Sequence, residues 1–594
     1  MSARGGFIRL TLLVTASLLA IFILLGALQR TDNLKPTDLS LYGGSAENGL
    51  TGKVTPPPIR HLEEPIKQEL VRQLEQELPE VDYGFWYHWA KPLAYKINQT
   101  CAVYPDPLDL KLHNIYWQTF VNSNVTFRLY AAYFDERKGL KLPTVRILAT
   151  ANQIDDEFPP THCQMWYENY REPILVPVSE FLSVWVKRWG YKPHLNYPHL
   201  LSCRIPSELP PPAINAFPKT VSLVARRCEK ASNSLRVNVN QKQPVSVSVS
   251  VPVPKPVPVE IASLQDPKPP NATNEAPLNF GVCLKGFDFP YVDLSERLIE
   301  WFELQRIFGA SRIYAYMYDV HPAVQRVLDY YQRTGYLELR PLTLANGMPR
   351  LRHYQHMLLQ QRKLTKRLNE LIPYNDCFYR NLYRHDYLVN VDVDEVIMPL
   401  GENRNWHQLV QKTHASEVEE SGSCAGRFPA LCFINSYFTK VPTEFSNHEE
   451  QAIAGELYVL QHTQRIRNYS SPGKATKCFH NARLSLTLHN HFTLSWLPGG
   501  CNSRTVDTSI AQMQHYREPD DKYNQTDLTD DRSVWKFAGE LRAAVEYVWL
   551  HLDDVMAQVS DPEEQQQLEE SLDQEGDEQQ PLQPFVLLPP QPVS

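Results

Sequence analysis

Residues 387 to 399 read Tyr-Leu-Val-Asn-Val-Asp-Val-Asp-Glu-Val-Ile-Met-Pro: an apolar strand, three acids at Asp392, Asp394 and Glu395, and a second apolar run. Carboxylates are costly to bury without partners. Three of them between two core strands therefore predict a sheet edge where a bound cation meets the chain. The competing reading is a polar hairpin tip with no ligand. The apolar flanks and the added Glu395 weigh against it.

The N-terminus predicts the compartment. LTLLVTASLLAIFILLGAL, residues 10–28, carries no charge and is long enough to cross a bilayer as a helix, with Arg4 and Arg9 before it and Arg30 after it. A cleaved signal peptide would have a shorter apolar core, of about 7 to 15 residues. All ten cysteines and five Asn-x-Ser/Thr sequons (Asn98, Asn124, Asn271, Asn468 and Asn524) follow that run. Both features belong in an oxidising lumen. The expectation is a single-pass type II protein of the Golgi membrane, with residues 1–9 cytoplasmic and the rest lumenal. No Cys-x-x-Cys pair or zinc-type Cys/His spacing is present, so the cysteines predict disulfides of unassigned pairing. A formal charge of −8 and a pI near 6.2 argue against nucleic acid as a partner.

Residues 29–80 read as a stem. Residues 81–240 read as a small, mostly β domain, with strand candidates at 114–120, 125–134 (VTFRLYAAYF) and 143–150 that are rich in β-branched and aromatic residues. Its Trp and Tyr residues suit sugar stacking, although such residues more often fill a core. The Pro/Val-rich segment 241–276 reads as a linker or insertion. Residues 277–550 alternate strand and helix: strand 279–284, helix 293–308, strand 312–318, helix 322–334, strand 336–341 and a long basic helix near 355–372. That order predicts a parallel α/β sheet. Residues 551–594 read as an acidic, Gln- and Pro-rich disordered tail.

In such a sheet, ligands gather at the carboxyl ends of the strands. Asp319 closes one strand and Asp392 another. A hard divalent cation is often held by one or two carboxylates plus phosphate oxygens. Downstream, Lys474, Lys477, His489, His491 and His515-Tyr516-Arg517 offer further groups for a metal or a diphosphate.

VCLKGFDF (282–289), IEWFELQRIFGASRIYAYMYD (299–319), LVNVDVDEVIMP (388–399), KATKCFHNARLSLTLHNH (474–491) and HYR (515–517) resemble glycosyltransferase family 92 over about 280–520. The resemblance implies a GT-A type fold, a UDP-sugar donor, Mn²⁺ or another divalent cation, and inverting transfer, with galactose from UDP-galactose moved onto a glycan of a glycoprotein or glycolipid. Carried over, Asp392, Asp394 and His491 are the metal ligands, and Lys285, Asp319, Lys477 and Arg517 bind the donor. Asn481-Ala482 departs from the family's Asn-Pro. The catalytic base stays open among Glu395, Glu444, Glu449 and Glu456. Two alternatives stand beside this reading: a non-catalytic, membrane-anchored glycan-binding protein whose acids hold calcium, and the same fold using UDP-N-acetylglucosamine.

Overall fold

The computed structural model describes residues 64–557 apart from 91–100, 155–156, 169, 211–212, 214–216, 240–276, 346–350, 421, 441–447 and 518–526. The apolar run 10–28, the Pro-rich segment 241–276, the tail beyond Ala557 and the sequons Asn98, Asn271 and Asn524 lie outside the described residues. Among the described residues no helix is long and apolar enough to cross a membrane. Asn124 and Asn468 are exposed, as glycan acceptors must be.

Residues 112–238 build a ten-stranded sheet. The run read as a strand at 125–134 is Val125–Asp135, paired antiparallel with Thr144–Ala151, which pairs in turn with Tyr197–Arg204. These strands are buried almost throughout. Both faces of these strands are covered, so even Arg146, His199 and Ser202 are buried. Phe127, Leu129, Val145 and Leu201 face the β half's own core. Tyr130, Tyr133, Leu148 and Leu200 share a second cluster with Tyr316, Ile372, Phe378 and Leu388 from the α/β half. The register shift between Leu129 and Ala131 lets one strand serve both.

The α/β half follows the expected alternation closely. The elements that position the site and its sheet are β1 (Phe280–Phe289), α1 (Ser295–Ile307), β2 (Ala310–Val320), α2 (Pro322–Arg333), β3 (Leu337–Pro341), α3 (Arg352–Gln361), α4 (Lys363–Asn381), β4 (Tyr387–Asn390), β5 (Glu395–Pro399), β6 (Ala430–Phe433), β7 (Lys477–Asn481), β8 (Ser485–Leu488), β9 (Thr493–Trp496), β10 (Arg504–Thr505), β11 (Ala511–His515) and α5 (Ala538–Ala557). A seven-stranded sheet runs β3-β2-β1-β4-β7-β6-β10. Parallel pairing joins β3, β2, β1 and β4, and again β6 and β10 at the far edge. Beyond β4 the sheet turns mixed, since β7 is antiparallel to both β4 and β6. The long basic helix is two helices, broken at Arg362, whose φ of −110° and ψ of 73° are not helical. β5 leaves the main sheet to pair antiparallel with β11. Residues 391–394 thus cross from one sheet to another, which is why an acid run interrupts two apolar strands.

All ten cysteines pair: Cys101–Cys228, Cys163–Cys203, Cys283–Cys377, Cys424–Cys501 and Cys432–Cys478. Cys283–Cys377 ties β1 to α4, and Cys432–Cys478 joins registered neighbours on β6 and β7.

A buried polar network joins the halves. Asp376 on α4 has no exposure, accepts Tyr316 Oη at 2.5 Å and the Tyr133 hydroxyl, and takes Arg380 Nε at 2.8 Å. Arg380 also donates to Asn238 Oδ1 at 3.0 Å and pairs with Glu80. Removing one member of a buried pair leaves the other charge uncompensated. Asp376→Asn is expected to cost about 3–5 kcal/mol, read as a lower urea midpoint and poorer secretion. Glu69→Gln, which breaks an exposed pair with Arg72, is the control. Equal midpoints for the two variants would contradict the network's role.

Candidate functional site

The 391–394 crossing brings charges from four elements together. Lys285 Nζ, from β1, lies 3.0 Å from Asp392 Oδ2 and 3.6 Å from Glu370 Oε1 on α4. Lys477 Nζ, from β7, lies 3.4 Å from Asp392 Oδ2 and 3.1 Å from Glu395 Oε2. It also donates to Asn490 Oδ1 at 2.6 Å. Tyr374 Oη donates to Asp392 Oδ1 at 3.1 Å. The loop closes on itself: Asp392 N–H donates to Glu395 Oε2 at 2.8 Å, and Glu395 N–H donates to the Asp392 carbonyl at 3.0 Å.

Burial works against every charge here, and the partners decide which survive. For Asp392, burial is outweighed by Lys285 and Lys477, so its carboxyl stays far below the usual range. Burial likewise opposes both ammonium groups. Asp392 with Glu370 outweighs it at Lys285, and Asp392 with Glu395 does so at Lys477, so both lysines stay charged. At Glu395 burial wins and lifts the carboxyl above the ordinary glutamate value, with Lys477 countering only in part. Glu395 is only 2% exposed. Its Oε2 is committed to the Asp392 amide and Lys477, which suits holding the loop.

Asp394 differs from its neighbours. Its side chain is about a third exposed (32%), and its Oδ2 sits 3.3 Å from His515 Nε2. Burial opposes its charge, but the His515 hydrogen bond keeps the carboxyl low. His515 is the register partner of Glu395 across β5 and β11. Its Nδ1 is buried without a hydrogen bond, 3.8 Å from Glu395 Oε1. One ring nitrogen thus faces Asp394, and the other lies beside Glu395 without a hydrogen bond.

Among the described residues no three His, Cys, Asp or Glu side chains stand together at metal-holding spacing. Asp392 is engaged by two lysines and a tyrosine. The donor set therefore fits a cation carried in with phosphate oxygens and met by Asp394 and His515, and it does not fit an all-protein cage. His491 sits at the β8–β9 hairpin tip, and its Nδ1 donates to the Thr476 carbonyl at 3.0 Å. Burial holds His491 at about 4 and His489 at about 3, so both rings are neutral near pH 7. His489 packs against Trp189 at 4.6 Å and Phe492 at 4.7 Å.

A pocket of about 280 Å³ opens beside the cluster, lined among others by Lys285, Phe289, Arg297, Lys366, Asp392 and Asp394. Asp319 lies at the end of β2, 3.4 Å from Arg352, and does not line it. Arg517 is exposed just after β11. Of the other glutamates, Glu444 and the Glu449 side chain lie outside the described residues, and Glu456 pairs with Arg542 at 2.9 Å. Sequence reading missed Tyr374, Asn490, Arg297 and Lys366. A helix face repeating at 366, 370 and 374 was the available signal for two of them.

The family model described as Glycosyltransferase family 92 matches residues 279–560, a span that holds the whole cluster. No curated protein matches the chain.

Removing Lys477 would strand two buried carboxylates. Lys477→Met is expected to cost about 3–5 kcal/mol, and Asp392→Asn is expected to destabilise measurably, because both sit in the core of the cluster. Asp394→Asn should leave the urea midpoint near wild type. Loss of stability in Asp394→Asn as large as in Lys477→Met would contradict this division.

Proposed function

Because residues 279–560 belong to glycosyltransferase family 92, we propose that the chain transfers a sugar from a UDP-sugar to a hydroxyl of a glycan acceptor, with inversion and with a divalent cation, Mn²⁺ first. The observation that carries this reading is the convergence of Lys285, Lys477, Asp392 and Asp394 beside one pocket at the carboxyl ends of β1 and β4, where open α/β sheets bind ligands. UDP-galactose is the donor favoured by the resemblance.

In this reading, Lys477 and Tyr374 hold Asp392 rigid from beneath, while Lys285, partly exposed (30%) on the pocket wall, binds the donor diphosphate. Arg297 and Lys366 line the same pocket and add positive charge toward the nucleotide. Asp394 and His515 would hold the cation. A divalent cation, when bound, supplies charge that offsets the departing diphosphate. The five disulfides and the exposed sequons Asn124 and Asn468 support a lumenal catalytic domain, with residues 10–28 as the Golgi anchor.

The test is a panel of UDP-sugars given to the full-length protein with Mn²⁺, with UDP release followed with and without glycan acceptors. One donor should release UDP, and acceptor should accelerate it. Asp394→Asn and His515→Ala should each lose about a hundredfold or more, about 2.7 kcal/mol of transition-state stabilisation, whereas His489→Ala should lose far less. No UDP release from any donor would overturn the proposal in favour of a glycan-binding role.

A further inference from the structure

Residues 351–367 contain five Lys or Arg (Arg352, Arg362, Lys363, Lys366 and Arg367) and no Asp or Glu, in a chain of formal charge −8. They form α3 and the start of α4. The outward face of α3 carries large apolar side chains where a surface helix is ordinarily polar. Leu351, Tyr354 and Met357, spaced by three, are 66%, 53% and 46% exposed, and Tyr291 and Val292 are 62% and 53% exposed. Tyr291 joins this face through its hydroxyl, 2.6 Å from His353 Nδ1, and through its ring, 5.2 Å from that of His356. Five of the thirteen large hydrophobics exposed among the described residues fall here. A contiguous apolar patch rimmed by charge marks a binding surface. It adjoins the pocket, since His356 Nδ1 is 3.0 Å from Asp288 Oδ1 and both Asp288 and Lys366 line that pocket.

The complement to this face lies in the chain itself. Residues 558–594 hold nine carboxylates between Asp561 and Glu578, no Lys or Arg, and then Phe585-Val586-Leu587-Leu588. The described end of α5 lies within reach of this face. Its Asp553 pairs with Arg326 in α2, while Arg352 of α3 pairs with Asp319 at the end of β2. Asp319 and Arg326 are seven residues apart, so their Cα atoms are at most about 25 Å apart. The twenty residues after Ala557 can reach about 70 Å.

We infer that the acidic tail docks on the α3–α4 face of its own chain. The carboxylates between 561 and 578 meet Arg362, Lys363, Lys366 and Arg367, and Phe585–Leu588 covers Leu351, Tyr354 and Met357. Tethering favours the tail over a free anionic partner, because a linked segment acts at an effective concentration in the millimolar range. Lys366 belongs to both the face and the pocket, so a docked tail competes with an anionic donor. That consequence rests on the transferase reading; the docking does not.

Zero-length carbodiimide cross-linking of the full-length protein, with the linked peptides mapped by mass spectrometry, tests the docking without any activity. Links should join Lys363 or Lys366 to carboxylates between 561 and 578 within one chain, and should fall severalfold between about 0.05 M and about 0.5 M salt. Tail links spread equally to the exposed Lys111 and Lys138 would overturn it, as would links found only between chains. If the docking holds, replacing the nine tail carboxylates with Gln or Asn should lower donor KM at least threefold at low salt. An unchanged KM alongside the expected links would overturn the competition with donor.

Discussion

The pairing of Asp392 with Lys285 and Lys477 is the interaction on which the rest of the site depends. An isolated carboxylate at that depth would be costly to leave charged. Two ammonium groups, a tyrosine hydroxyl and the closed 392–395 loop hold it in place. The arrangement places Asp394, the one acid of the three with a third of its side chain exposed, against the pocket. Buried pairs of this kind stabilise little beyond what apolar packing would, so their retention is better understood as fixing one geometry of the loop.

α4 is the member that transmits this order across the molecule. One of its faces carries Lys366, Glu370 and Tyr374, spaced by four, to the pocket and to the two partners Lys285 and Asp392. Two and six residues beyond Tyr374, Asp376 and Arg380 anchor the helix to Tyr133 and Asn238 of the β half and to Glu80. Cys377 ties it to β1 beside Lys285. Packing of the β half is therefore coupled physically to the position of the acids.

Much of this was legible in the sequence, and the remainder was hidden for identifiable reasons. The strands and helices from Phe280 to Pro341 fall within a few residues of their expected bounds, because hydrophobic period and short loops there agree with the final packing. The split of the basic helix at Arg362 carries no Gly or Pro to announce it. The mixed character of the sheet was invisible because β7, Lys-Cys-Phe-His-Asn, is buried without an apolar pattern, and nothing in its composition announces antiparallel pairing. Asp392 follows the end of β4, as a strand-end rule expects, and Lys285 and Lys477, which came with the family resemblance, converge on it. His515 and His491 were both visible as residues, and it is the pairing of β5 with β11, unreadable from the sequence, that sets His515 opposite Glu395. Disulfide pairing, likewise, is a matter of spatial neighbours and not of spacing.

The central claim is that this charge cluster holds a nucleotide diphosphate together with a cation. Isothermal titration of UDP into the full-length protein, with and without Mn²⁺, measures that claim directly. The account gives UDP an affinity at least about tenfold higher with Mn²⁺ (about 1.4 kcal/mol), with binding lost in Lys285→Ala. UDP binding that ignores Mn²⁺ and survives Lys285→Ala, or no UDP binding at all, would contradict it.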